Sequence, residues 1–167
     1  MLGNVKITET EMKFIQLLQN MTGATIVDCI VDDENNTIIF TVKKGEVGLA
    51  VGKGAEKIKR FRNMTNKQVE IYEYMPEPEK FIKNALKPAK VKDLRLVDRR
   101  GDKKIAMVNV EPKDKGIAIG KNGANIKKIR FLAERYFQLD TVVIKYTLFL
   151  FLFFQFNPFF VSSHLLY

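Results

Sequence analysis

Two stretches of this chain set glycine, lysine and a basic run at a spacing suited to holding phosphate. The first is Gly48-Leu-Ala-Val-Gly52-Lys53-Gly54-Ala55-Glu-Lys57-Ile58-Lys-Arg, and the second is Gly116-Ile-Ala-Ile-Gly120-Lys121-Asn122-Gly123-Ala-Asn-Ile126-Lys127-Lys128. Glycine has no Cβ and accepts positive φ, so backbone at such a turn can approach a ligand closely. The first amides of a following helix point outward and favour an anion, and Lys53 and Lys121 place a mobile positive charge on the turn itself. Nucleotide-hydrolase chemistry does not fit. A Walker A loop needs Gly-x4-Gly-Lys-Ser/Thr, whereas three residues separate Gly48 from Gly52 and Gly116 from Gly120. Gly54 and Asn122 stand where the Mg²⁺-binding hydroxyl would be. A Rossmann fingerprint fails because no glycine follows Gly54 at the required spacing. The backbone of RNA or single-stranded DNA remains as the ligand, and a Gly-x-x-Gly loop clamping four nucleotides is a known mode of RNA recognition.

The elements that must position these turns also repeat. The two stretches are 68 residues apart in register, and internal repetition is the first signal to follow in a sequence. Upstream of the first turn, Ile38 to Val42 is a β-branched, strand-like run, with Ala106 to Val110 at the same offset. Farther upstream, Ile26 to Val31 and Leu94 to Val97 predict partner strands. Asp32 to Asn36 and Asp98 to Asp102 form the polar hairpin loops between them. After each turn the apolar period becomes helical, through Ile58 and Phe61 and through Ile126, Ile129, Leu132 and Ala133. Val69 to Tyr74 and Thr141 to Ile144 supply a last strand. Each unit opens with a helix, the first behind the capping residues Thr8 to Glu11 and the second at Pro78-Glu79. The helix ahead of each turn has only Lys44 to Val51 or Lys113 to Ile119 to occupy. The order helix, strand, strand, short helix, turn, helix, strand occurs twice. This predicts an α+β protein of two modules, 1–75 and 76–146, meeting at Met75-Pro76-Glu77-Pro78. Units of about 70 residues are marginal alone, so the two are expected to pack on each other.

The formal net charge of +9 over 167 residues favours a polyanionic partner, nucleic acid before anionic membrane. A single cysteine, Cys29, and a single histidine, His164, allow no intrachain disulfide and no Cys/His metal cluster. Cys29 lies in an apolar run and reads as a buried structural thiol. No paired carboxylates can be placed in a pocket, so no catalytic residue, cofactor or small-molecule substrate is expected. The N-terminus has no apolar signal core, which points to the cytoplasm. Residues 147–167 form an atypical apolar tail, without Lys, Arg, Asp or Glu and with seven of the thirteen Phe. Three readings compete for it. Its clean apolar run, Leu148 to Phe154, is too short for a membrane span, and it lacks the basic face of a membrane-surface helix. A non-native C-terminus accounts best for the abrupt change of composition, with membrane or partner contact ranked second.

The element order resembles the prokaryotic-type (type II) K-homology, or KH, fold, a small three-stranded sheet packed by helices. Two such modules in tandem resemble the archaeal NusA-like transcription factors. The resemblance is carried by Thr22-Gly23-Ala24-Thr25 with Asp28-Cys29, by Gly45 to Lys53, by Phe81-Ile-Lys-Asn84 and Pro88-Ala89-Lys90, and by Lys115 to Gly123. It covers residues 1–146 and implies RNA binding linked to transcription termination or antitermination, with RNA polymerase as a possible partner. It also implies two modules forming one extended RNA surface. A protein-interaction or structural part of a transcription or ribosomal complex is the alternative. Expected RNA-binding residues are Gly52, Lys53, Gly54, Ala55, Lys57 and Ile58 in the first module. In the second they are Gly120, Lys121, Asn122, Gly123, Ile126 and Lys127, with Ile58 and Ile126 lining base grooves. Tyr72, Tyr74 and Tyr136 are expected in the core. One departure stands out: Gly120-Lys-Asn-Gly123 fits Gly-x-x-Gly, whereas Gly52-Lys-Gly-Ala55 ends in alanine. If that position begins the helix, alanine is harmless; if it needs positive φ, the first module binds less well.

Overall fold

The computed structural model describes residues 6–99 and 103–146. Helix α1 spans Glu9–Thr22. It starts where Thr8 Oγ1 accepts from the Glu11 amide (3.2 Å) while the Glu11 carboxylate accepts from the Thr8 amide (2.7 Å), so two otherwise orphaned donors are satisfied reciprocally. Strands β1 (Ile26–Asp32) and β2 (Thr37–Val42) pair antiparallel. The chain then passes through α2 (Val47–Val51) and α3 (Glu56–Thr65) to β3 (Gln68–Glu73), which pairs parallel with β2. A parallel return of this kind needs a helical crossover, and the glycine turn lies in the middle of it.

The second module repeats the plan with α4 (Pro78–Ala85), β4 (Val91–Arg99), β5 (Lys103–Val110), α5 (Lys115–Ile119), α6 (Ala124–Phe137) and β6 (Thr141–Tyr146). The sheet orders are β1-β2-β3 and β4-β5-β6. Both short helices are single five-residue turns. Strand β4 is longer than the expected Leu94 to Val97, and its alignment with β1 departs from the 68-residue offset. Thr41 faces Asp28 and its counterpart Asn109 faces Asp93, a separation of 65 along the first strands. Both first strands carry a register shift at this point, between Ile26 and Asp28 and between Val91 and Asp93. Such bulges are built features of a sheet edge.

Every residue of β2 is buried, which requires cover on both faces of the first sheet. Ile38, Phe40 and Val42 face the first core, where Phe40 and Phe61 meet edge to face at 5.4 Å. Ile39, on the opposite face, belongs to the second module's core with Phe81, Ile82, Ile129 and Leu132. The modules therefore pack as expected, with α4 and α6 laid against the first sheet. Tyr136 is buried there, against Tyr74 and Phe81, and Tyr72 packs at the margin.

This seam also holds an ion pair. Asp28 is 0 % exposed and accepts from Arg135 Nε (2.8 Å) and Nη2 (3.0 Å) and from Tyr136 Oη (2.8 Å). Tyr136 Oη also lies 2.8 Å from Thr41 Oγ1. The contact with Asp28 holds the Arg135 guanidinium above its ordinary pKa. Lys128 reaches Glu70 across the same seam at 2.5 Å. Cys29 is buried, and desolvation pushes its thiol well above its ordinary range, as suits a structural residue. Among the described residues no helix is long and apolar enough to cross a membrane. The tail 147–167 and the second hairpin loop at 100–102 lie outside the described residues.

Candidate nucleic-acid interface

The two glycine turns have nearly the same backbone. Gly52 sits at φ 76°, ψ 170° and Gly120 at φ 75°, ψ 169°, a region open in practice only to glycine. A Cβ at Gly52 would lie 2.8 Å from Lys57 Cγ, and one at Gly120 would lie 2.8 Å from the Asn125 Cβ and amide nitrogen. Two left-handed residues follow in each turn, Gly54 then Ala55 and Asn122 then Gly123. Helices α3 and α6 start directly after them, and neither has a side-chain N-cap. The first amide of each helix donates back into the turn instead, Glu56 to the Lys53 carbonyl and Ala124 to the Lys121 carbonyl.

The structure divides the basic residues into two groups. Lys57 Nζ donates to the carbonyls of Thr22 (3.1 Å) and Leu49 (3.2 Å). At the same position of the second module, Asn125 Nδ2 donates to the carbonyls of Ile117 and Ala118. Lys57 therefore ties the short helix to the turn, as its uncharged counterpart does. Arg62 and Arg130 each donate to a carbonyl of the following strand, Val69 at 2.7 Å and Val142 at 2.8 Å, and Lys128 pairs with Glu70. Lys53, Lys59 and Arg60, and Lys121 and Lys127, are exposed at the turns and on the following helices. Ile58 and Ile126, expected to line base grooves, are each 5 % exposed and belong to the two cores, because α3 and α6 turn that face toward the sheets. The apolar surface beside each turn comes instead from Leu49 and Ile117, 46 % and 47 % exposed. These two occupy the same repeat position, and Gly48 and Gly116 before them leave open space. Their recurrence in the apolar-Ala-apolar stretch was the available signal, but sequence does not say which of its apolar residues faces out.

Comparison with known proteins follows the same division. Residues 15–76 match the KH domain family model, and residues 78–144 match that of the NusA-like second KH domain. The chain is 32 % identical over 138 residues to the probable transcription termination protein NusA of Halobacterium salinarum, covering 83 % of this chain and 96 % of that protein. The chain belongs to the NusA family. The NusA of Methanococcus vannielii, also described as a probable transcription termination protein, is 34 % identical over 131 residues, 78 % of this chain and 74 % of that one. The crystal structure of APE1850 superimposes with a TM-score of 0.76 at 38 % identity, covering 83 % of this chain and all of that one.

Within this NusA-family chain the two turns are unequal. Ala55 holds φ 60°, ψ 26°, where Gly123 holds φ 75°, ψ 14°, so the alanine lies in the left-handed region rather than in the helix's first turn. An L-residue there costs roughly 1–2 kcal/mol, part of which glycine gives back as unfolded-chain entropy. Ala55→Gly is therefore expected to raise unfolding free energy by about 1 kcal/mol, and Gly123→Ala to lower it by a similar amount, read as shifts of the urea midpoint. Electrostatics differ too. The first turn of α3 carries Glu56, whereas the first turn of α6 carries no acid, leaving the positive end of α6 uncompensated.

Proposed function

We propose that this chain binds single-stranded RNA through the glycine loops of both KH modules. In this reading it acts as a NusA-like factor in transcription termination or antitermination, with RNA polymerase as the protein partner. The observation that carries the reading is the pair of matched turns. Each sets an exposed lysine, two left-handed residues and a helix start without a side-chain cap on one small surface. Backbone amides and a lysine grip phosphate whatever the base, while Leu49 and Ile117 offer apolar contact to bases beside it. The site residues in this reading are Gly52, Lys53, Gly54, Ala55, Gly120, Lys121, Asn122, Gly123 and Lys127. Lys57, Ile58 and Ile126 support the loops from beneath. The family relationship and the excess of positive charge support the same conclusion, and the role is binding rather than catalysis.

Salt dependence tests the phosphate grip. With about six phosphate contacts, affinity for a single-stranded RNA should fall by roughly 300-fold between about 50 and 200 mM monovalent salt. Fluorescence anisotropy across that range measures the slope, and a flat profile would refute binding through phosphate.

A further inference from the structure

The seam between the modules holds a cleft of about 560 Å³, a size that encloses small organic groups. Its walls include Val47 of α2, Glu70, Tyr72 and Glu73 of β3, Asn84 of α4 and Asn125 of α6. Val47 opens the helix that leads into the first loop, and Asn125 lies two residues beyond the second. The cleft thus touches the elements that carry both loops.

Its chemistry is unusual for a path along a polyanion. Two carboxylates repel phosphate, yet a carboxylate is a good acceptor for the amino group of a base. Both are held in orientation by donors from the protein. Glu73 accepts from the Gly45 amide (2.6 Å) and from Asn84 Nδ2 (3.0 Å). Glu70 accepts from Lys128 Nζ (2.5 Å) and from Tyr72 Oη (3.2 Å). An ionised carboxylate offers about four lone-pair sites, so each is fixed in place with about two sites still unused. Lys87 on the wall supplies the one positive charge of the lining, suited to a neighbouring phosphate.

We propose that this cleft takes one nucleobase from the stretch of RNA between the two loops and selects a base with an exocyclic amino group over uracil. Glu70 and Glu73 are the acceptors. The inference rests on the reading that both loops hold one RNA strand.

Cytidylate and uridylate oligomers of about twelve nucleotides, long enough for two KH clamps and a spacer, test it by anisotropy. They match in size and charge, cytosine carrying a 4-amino group beside an unprotonated N3 and uracil a 4-carbonyl beside N3–H. The full chain should bind the cytidylate strand about tenfold more tightly. Two variants separate the cleft from the loops: Glu70→Gln changes an acceptor, and Ala85→Leu fills the cleft from its α4 wall while both carboxylates are kept. Ala85→Leu should bring the preference to about one, with uridylate affinity changed by less than about twofold. Glu70→Gln keeps a carbonyl acceptor beside Glu73 but removes a charge that repels phosphate, so it should lower the preference and raise affinity for both oligomers. A wild-type ratio of one, or a ratio kept in the Ala85→Leu variant, overturns the proposal while leaving loop binding intact. Failure of the wild type to bind either oligomer overturns the loop reading and this inference together.

Discussion

Asp28→Ala should lower the unfolding free energy by about 3–5 kcal/mol. The carboxylate is 0 % exposed and receives three donors from the other module, two from Arg135 and one from Tyr136. Its removal leaves a guanidinium whose side chain is only 19 % exposed without its buried counter-charge. That orphaned charge, more than the lost attraction, sets the size of the effect. Urea denaturation measures it. Lys128→Ala is the control, because the Lys128 and Glu70 side chains are 25 % and 34 % exposed and solvent screens such a pair to about 1 kcal/mol or less. The same change should weaken RNA binding indirectly. Two loops on one rigid body engage a strand with a fixed effective concentration, and a loosened seam lowers it. A loss below about 1 kcal/mol for Asp28→Ala would mean that the seam is held by apolar packing around Ile39 and Tyr136 alone.

Reversing charge on the second loop should have the larger effect on binding. In the Lys121→Asp, Asn122→Asp double variant, affinity for single-stranded RNA should fall by about a hundredfold or more, since an attraction becomes a like-charge contact. The fold should survive. Both side chains are exposed, and aspartate tolerates the left-handed conformation that Asn122 holds at φ 52°. The equivalent pair in the first loop, Lys53→Asp with Gly54→Asp, should cost less affinity, because Glu56 already opposes an anion there. It also puts a Cβ at a left-handed glycine, so its stability must be measured alongside.

Much of this was legible because it is local or repeated. Thr8 and Glu11 spell out the start of α1, Pro78 marks α4, and the 68-residue repeat of Gly-Lys turns fixed both loops and the length of the helices before them. What was not legible depends on direction in space. Lys57 and Lys59 look alike in a basic run, yet one points back to the carbonyls of Thr22 and Leu49 while the other faces solvent. Asp28 and Arg135 are 107 residues apart, and nothing local in either strand or helix indicates the pairing. Ala55 had two conformations open to it, and the turn geometry of the whole loop selects the left-handed one. The strand offset of 65 rather than 68 follows from longer paired arms in the second hairpin, where Asp93 to Arg99 and Lys103 to Asn109 each run two residues further than Asp28 to Asp32 and Thr37 to Thr41, and a repeat in the glycine turns does not reveal this.

The central claim is that one RNA strand is held at both glycine loops. Ultraviolet crosslinking of the full chain to a single-stranded RNA, with the crosslinked residues mapped by mass spectrometry, tests it directly. Crosslinks should concentrate in residues 48–60 and 116–128, with the heavier share in the second segment. Crosslinks confined to the outer face of the β4-β5-β6 sheet, or spread evenly over the exposed lysines, would contradict it.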